Sequence, residues 1–476
     1  MSEELGITTK KEENFSEWYV EIIRKSELMD YSDVSGCMIF RPLAYSLWEN
    51  VKNEVDKRFK EIGIENVYFP IFIPERLLEE EAEHFEGFSP EVAWVTETGS
   101  SELDERLAVR PTSEAIMYPT FSKWIRSWRD LPRRYNQWNN AVRWEFKHPT
   151  PFLRTREFLW NEGHNMYETE EEVMEDKERI LDVYETVQED FMALPGIMGR
   201  KTQKEKFAGA VNSYSIEHLM PDGKAIQGPI YHHDGQNFSE AYDIKFMDKD
   251  DEEQYVYQST YAITTRQLGV MLSIHSDDKG LVIPPKITPK KTVVVPIFNE
   301  ENREEVVNYA EKIGSKLEDF HIDDREGYTP GWKFNHWELR GVPLRIEIGP
   351  NELEDGTATL VRRDNGGRKE ISIENLEDEV DKILKKIQNN LYEKAKNFLE
   401  ENIREVSDYE ELWDIIEERG GFVKASWCGK EKCENAIKEE TGAKITNIPF
   451  KYDKPKEKCI YCGEEGKYYV HFAKTY

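Results

Sequence analysis

Three prolines fall within six residues at Pro284-Pro285-Lys286-Ile287-Thr288-Pro289. A proline fixes its φ and carries no backbone donor, so neither a helix nor a sheet ladder continues through such a run. The run marks the main domain boundary of a chain whose 476 residues already amount to about three domains. Downstream the pattern alternates strand and helix. Strands are expected over residues 292–297, Leu344–Ile348 and Thr357–Arg362, with a helix over 302–320 and a short strand end at 321–325. A longer helix follows, with Val380, Ile383, Leu384, Ile387, Leu391 and Phe398 on one stripe. This order predicts an α/β domain of about 100 residues. The expected division of the chain is 1–285, 286–400 and 401–476.

The region before the prolines mixes both element types. Leu47, Val51, Val55 and Phe59 recur at helical spacing, and residues 66–74 read as one buried strand closed by prolines. Apolar runs such as Val293-Val294-Val295 are far too short to cross a bilayer. The start, Met1-Ser2-Glu3-Glu4, has no basic and apolar leader. A cytoplasmic protein with no membrane partner is expected. The 64 Lys+Arg against 94 Asp+Glu leave a net charge of −30, which argues against non-specific wrapping of nucleic acid by the whole surface. A local basic footprint stays open at Lys123, Arg126, Arg129, Arg133 and Arg134. Its competing reading is the solvated face of an amphipathic helix.

Five cysteines are too few for a disulfide scaffold at this length. Cys37 stands alone and reads as a small buried apolar residue. The other four form Cys428-x4-Cys433 and Cys459-x2-Cys462, two close pairs able to build a sulfur cage for Zn²⁺. Four protein ligands leave no open position, so such a metal is structural. The four-residue spacer departs from the commonest ribbon spacing.

A second constellation is Arg143-Trp144-Glu145 followed by Arg154 and Phe158. Its flanks predict two antiparallel strands joined by a loop containing His148, Pro149 and Pro151, with Arg143 and Glu145 on one face. An arginine fork, a carboxylate and an aromatic ring together suit a nucleotide. A surface ion pair is the competing reading.

Arg143-x-Glu145 with Arg154 and Phe158 resembles motif 2 of the class II aminoacyl-tRNA synthetases. Residues 63–70 resemble their motif 1, which builds the dimer interface, and Thr264-Thr265-Arg266-Gln267-Leu268-Gly269 resembles motif 3. Arg110-Pro111-Thr112-Ser113-Glu114, Phe158-Leu159-Trp160-Asn161-Glu162-Gly163-His164 and Lys206-Phe207-Ala208-Gly209-Ala210 are similar to the prolyl-tRNA synthetases of the archaeal/eukaryotic type. So are Asp323-Asp324-Arg325, Gly341-Val342-Pro343-Leu344-Arg345, the four cysteines and the Lys474-Thr475-Tyr476 end. The resemblance covers nearly the whole chain.

The resemblance implies a class II antiparallel sheet flanked by helices, then an α/β anticodon-binding domain and a small α/β zinc-binding domain. It implies an ATP-dependent ligase that forms prolyl-adenylate and charges tRNA(Pro), as a homodimer using Mg²⁺ and a structural Zn²⁺. Arg143 and Arg266 are the implied catalytic residues. ATP falls to Arg143, Glu145, Arg154, Phe158, Gln227 and Arg266. The amino acid falls to Thr112, Glu114, Arg143, Trp160, Glu162, His164, Phe207 and His232. Anticodon candidates are Arg325, Lys333, Glu338, Arg345, Glu347, Arg362 and Arg363, and Tyr476 is implied to reach the active site. About 120 residues separate Arg143 from Arg266, a length the catalytic sheet itself consumes, so no built-in editing domain is expected.

The chain departs from the family at Tyr231, Asp234 and Ala262, where changes of size and charge are expected to reshape the amino-acid pocket. Two alternatives follow. One is a paralogue activating a proline-like or other small amino acid, and the other is a non-catalytic, synthetase-like regulatory protein.

Overall fold

A computed structural model describes residues 6–84, 91–146 and 148–476. The leader reading at Met1–Glu4 therefore lies outside the described residues. Helices α1 (Phe15–Lys25) and α2 (Pro42–Glu61) open the fold. Leu47, Val51, Val55 and Phe59 of α2 are all buried, because their spacing forms one apolar stripe.

The main sheet has eight strands: β1 (Glu65–Asn66), β2 (Arg133–Val142), β3 (Glu157–Tyr167), β4 (Ile197–Arg200), β5 (Asn212–Leu219), β6 (Ala225–Gly235), β7 (Tyr257–Ala262) and β8 (Ile448–Pro449). Their order across the sheet is β8-β4-β5-β6-β7-β3-β2-β1, antiparallel except for the β1–β2 pair. Helices α3 (Glu114–Trp124), α4 (Glu170–Thr186) and α5 (Arg266–His275) accompany it. The N-terminus of α4 is set by a capping box between Thr169 and Glu172. Residues between Arg143 and Arg266 supply β3 to β7, α4 and a small hairpin.

The segment 66–74 is not one strand. Only Glu65 and Asn66 pair with β2, and a separate strand, Phe72–Pro74, joins a different three-stranded sheet. Pro70 interrupts the donor series between them, and Tyr68 is left 73% exposed. The basic stretch near residue 126 is not a helix face either. Helix α3 ends at Trp124, Ser127 and Asp130 cap a short turn, and Arg134 leaves the group to meet Asp176 at 3.3 Å. Cys37 is only half-buried.

After the prolines comes a five-stranded sheet in the order Phe320–Ile322, Thr292–Pro296, Leu344–Ile348, Thr357–Arg362 and Arg368–Ser372. The first three strands are parallel and the last two antiparallel. Its helices include Arg303–Gly314, α6 (Pro330–Leu339) and α7 (Leu376–Glu401). The expected helix over 302–320 stops at Gly314. Asp319 then adopts a left-handed φ of 51°, which turns the chain into the next strand. The proline run is not a loose tether. Leu281, Ile283 and Ile287 are buried in the main core, and Asn50 Nδ2 donates to the Ile287 carbonyl at 2.8 Å.

The C-terminal part forms a four-stranded sheet of Ile403–Glu405, Phe422–Trp427, Tyr468–Ala473 and Lys444–Ile445, with helix α8 (Glu431–Thr441). Through β8 it also completes the edge of the main sheet, against β4.

Candidate active site

A two-residue period decides which side chains meet. On β3 the even-numbered Phe158, Trp160, Glu162 and His164 share one face and line a cavity of about 360 Å³. Neighbouring strands add His232 from β6, with Thr260 and Ala262 from β7. His232 and His164 both lie opposite Thr260, so three strands contribute one continuous row. The other face of β3 packs inward. There a Cβ on Gly163 would stand 2.0 Å from the Tyr261 ring, so only glycine permits that contact.

Thr112, Glu114, Arg143, Arg154, Phe207, Gln227 and Arg266 line the same cavity. Glu145 does not. Strand β2 ends at Val142, the chain turns, and Glu145 is exposed in that turn. The expected sharing of a face with Arg143 therefore fails, because alternation stops where the strand stops. Glu145 still lies near enough to favour the charged form of Arg143.

At one end of the cavity are three guanidinium groups. The Arg143 group lies 5.5 Å from the Phe158 ring centre and 5.6 Å from that of Trp160, and its Nε donates to the Pro111 carbonyl at 3.2 Å. Arg266 Nε donates to the Leu153 carbonyl at 3.1 Å. Burial, then the like charges of Arg143 and Arg154, lower the Arg266 pKa to about 10. A polyanion entering here relieves that crowding.

At the other end Thr112 and Glu114 are hydrogen-bonded to each other at the start of α3. Glu162 behind them accepts from the Ser113 backbone N–H at 3.0 Å and from Gln137 Nε2 at 3.0 Å, and contacts His164 Nε2 at 3.3 Å. Burial opposes its ionisation. Hydrogen bonds with His164, Ser113 and Asn139 outweigh burial and hold its carboxyl at about 2. Trp160 is fixed by a 2.6 Å bond from its Nε1 to Asn139 Oδ1. Asn139 and Gln137 were missed in the sequence. The sign was available: a buried strand rich in Asn and Gln marks a polar hub. The Phe207 ring meets the His232 ring at 4.8 Å, and burial, then Lys201 and Lys206, push His232 down to about 3, so it is neutral.

The three departures divide between the two faces. Ala262 lines the cavity. Tyr231 does not reshape it: the ring is fully buried on the opposite face, stacked on Tyr261, and its hydroxyl donates to the Val173 carbonyl at 2.9 Å. Asp234 is 0% exposed, and neither its oxygens nor the adjacent Thr260 hydroxyl makes a hydrogen bond of good geometry. Burial, reinforced by Glu114, raises its pKa well above the usual carboxylate range. An acid whose native pKa is raised binds its proton more tightly when folded, so it costs stability as pH rises above its unfolded value. Asp234→Leu is expected to stabilise the protein by about 1–3 kcal/mol at pH 7.5, and by less at pH 4.5. Denaturant midpoints at the two pH values check this, and an equal or larger gain at pH 4.5 contradicts it.

The arginines among the anticodon candidates are already engaged with polar partners. Arg325 is paired to Asp323 through two bonds of 2.7 and 2.6 Å, and Lys333 Nζ donates to the Asp323 carbonyl at 2.9 Å. Arg345 bridges Glu347 at 3.0 Å and Glu338 at 3.1 Å. Arg362 is engaged by Asp364. Arg363 Nε donates to the Glu338 carbonyl at 3.0 Å, and its other nitrogens reach Asp277 at 2.8 and 2.6 Å and the Gly280 carbonyl at 3.1 Å. A buried fork paired in this way ties two domains and has no free edge for a base. Tyr328, just before α6, stacks on Trp332, which stacks on His336, with centroids 3.9 and 4.9 Å apart and Arg325 beside them; these three were missed in the sequence. Their four-residue spacing was visible.

The sulfurs of Cys428, Cys433, Cys459 and Cys462 all lie within 4.8 Å of one another, with two separations of 3.7 Å. A tetrahedron with Zn–S bonds of about 2.3 Å has edges of about 3.8 Å, so the donor set fits that ion. Among the described residues it is the only cluster of three or more metal-ligating side chains. Thr475 and Tyr476 line a smaller cavity together with Arg154, Gln227 and Arg266.

Residues 94–275 match the tRNA synthetase class II core domain (G, H, P, S and T). Residues 291–383 match an anticodon binding domain, and 409–476 match the prolyl-tRNA synthetase C-terminal domain. The chain is 47% identical over 473 residues to a proline–tRNA ligase of Natranaerobius thermophilus, covering 98% of each chain. It is 46% identical over 479 residues to one of Natronomonas pharaonis, covering 100% of this chain and 99% of that one. The crystal structure of prolyl-tRNA synthetase from Cryptosporidium parvum, complexed with halofuginone and AMPPNP, superposes with a TM-score of 0.95 at 44% identity. It covers 99% of this chain and 100% of that one.

Proposed function

The chain belongs to the prolyl-tRNA synthetase family of class II aminoacyl-tRNA synthetases and is a proline–tRNA ligase, and from that premise we propose how its residues divide two steps. In the first step a proline carboxylate oxygen bonds to the α-phosphorus of ATP while the bond to the bridging oxygen breaks and pyrophosphate leaves. The nucleophile is already ionised, so no general base is required. The work is alignment and charge neutralisation.

Arg143 bridges the carboxylate and the α-phosphate, while Arg154 and Arg266 hold the outer phosphates. Phe158 stacks on adenine, and Gln227 borders the nucleotide. Glu145 reaches the adenine amino group only if its turn closes over the nucleotide. Magnesium accompanying the nucleotide would supply further neutralisation of the phosphate charge. Thr112 and Glu114 accept from the proline ammonium. Trp160, His164, Phe207 and His232 enclose the ring, and Glu162 positions His164 and the loop at Ser113. In the second step a terminal ribose hydroxyl of tRNA(Pro) attacks the carbonyl, loses its proton, and AMP departs.

The observation that carries this reading is the convergence of three guanidiniums and Phe158 at one end of a cavity whose other end holds Thr112 and Glu114. ATP–pyrophosphate exchange across a panel of amino acids tests it. Exchange dependent on proline, followed by charging of tRNA(Pro), is expected. Exchange with a different amino acid alone, or silence with all, overturns the assignment.

Three further assignments belong to the same reading. The domains are taken as 1–285, 286–400 and 401–476, with structural zinc in the last. The exposed Tyr68 and its neighbours in 63–70 support a homodimer through that edge. The stacked Tyr328, Trp332 and His336 suit unstacked anticodon bases, with Arg325, Lys333, Arg345, Glu338 and Glu347 for base edges. Among the described residues no helix is long and apolar enough to cross a membrane, consistent with a cytoplasmic site of action.

A further inference from the structure

The wall of the amino-acid pocket is held from outside the catalytic sheet. Lys201 Nζ donates to Glu217 Oε1 at 2.6 Å and to the Thr446 carbonyl at 2.8 Å. One residue on, the Thr202 hydroxyl donates to Glu434 Oε1 at 2.8 Å. Glu205 accepts from Lys444 at 2.8 Å and faces Lys438 at 3.6 Å. Thr446, Glu434, Lys444 and Lys438 all belong to the C-terminal domain, and α8, which bears Glu434 and Lys438, also carries Cys433. Glu205, Lys206 and Phe207 then enter the cavity. The Phe207 backbone N–H donates to Ser213 Oγ at 3.0 Å, and Ser213 Oγ lies 2.7 Å from His232 Nδ1. Pocket wall, imidazole and C-terminal domain are thus joined by short polar links.

Resting on the proline-ligase reading, we propose that Thr202, Glu205, Glu434 and Lys444 are positioning residues for the amino acid: they clamp residues 201–207 to the C-terminal domain so that Phe207 meets His232 at the proline end of the cavity. Neither Thr202 nor Lys444 lines that cavity. Their effect is transmitted through the chain to Phe207. The nucleotide end, built by Arg143, Arg154, Arg266 and Phe158, lies on other segments, and of the four clamp residues only Lys444 borders a neighbouring cavity with Arg154, Gln227 and Arg266. Releasing the clamp at Thr202, which borders neither cavity, therefore weakens proline binding and spares ATP binding.

Proline-dependent exchange by the full chain, with Thr202→Val, Lys444→Met and Lys444→Arg, tests this. Thr202→Val and Lys444→Met are each expected to raise the KM for proline about tenfold with the turnover at saturation within about twofold of wild type, and in Thr202→Val the KM for ATP also stays within about twofold. Lys444→Arg keeps the charge opposite Glu205 and is expected to recover most of the loss. Zinc content and the unfolding midpoint serve as folding controls. An unchanged KM for proline, parallel changes in both KM values in Thr202→Val, or a loss confined to turnover would overturn the clamp. Absence of proline-dependent exchange in the wild type would instead overturn the underlying reading.

Discussion

Replacing Arg143 by alanine is expected to lower the turnover of proline-dependent exchange by about 100-fold or more, on the order of 2.7 kcal/mol of transition-state stabilisation. The side chain lies where the guanidinium end of the cavity meets Glu114 and Glu162, against Phe158 and Trp160, with Arg266 close enough to repel it. Burial disfavours its charge, and the carboxylates of Glu114, Glu145 and Glu162 oppose that effect. The guanidinium is thus kept cationic in a site poor in water, where a developing phosphorane charge feels it strongly. Arg143→Lys keeps the charge and loses the planar fork, so an intermediate loss is expected. Because Arg143 Nε also holds the Pro111 carbonyl, next to Thr112, some rise in the KM for proline accompanies the loss. Exchange kinetics against both substrates separate these effects. Near wild-type turnover in the alanine variant would remove Arg143 from the reacting centre.

Replacing Cys459 and Cys462 together by serine is expected to abolish bound zinc and to destabilise the C-terminal domain while adenylate formation persists. A structural zinc supplies about 10–16 kcal/mol of apparent binding energy in isolated finger peptides. Here the domain has its own apolar core around Leu412, Val423, Ile437 and Phe472, so loss of the metal loosens the domain without erasing it. The catalytic sheet loses support at its β8 edge and at Ala225 of β6, which pairs with Thr475. Because residues 201–207 hang on α8, the KM for proline rises while turnover at saturating proline stays measurable. Elemental analysis, the unfolding transition and exchange kinetics together decide. Retained zinc would refute the ligand set, and complete loss of exchange with a native-like fold would mean that the metal does more than brace the domain.

Local chemistry carried much of this into the sequence. The even-numbered run from Phe158 to His164 needed only a strand to face one way, and the cysteine pairs needed only their spacing. The helical stripe from Val380 to Leu391 was equally plain. Errors arose where an element ended: Glu145 fell beyond the last residue of β2, and the strand expected over 66–74 broke at Pro70.

Residue types and their periodicity determined which side chains are available to the site and which face of a strand presents them, because both are set by covalent neighbours. Tertiary structure alone decided that three arginines from distant segments converge, that Tyr231 points into the core, and that Arg363 is consumed tying two domains. It alone hung the cavity wall at Glu205 to Phe207 on the cysteine-bearing domain. Such contacts depend on how sheets and helices dock across hundreds of residues, and docking follows from mutual burial of whole faces rather than from any one segment's pattern.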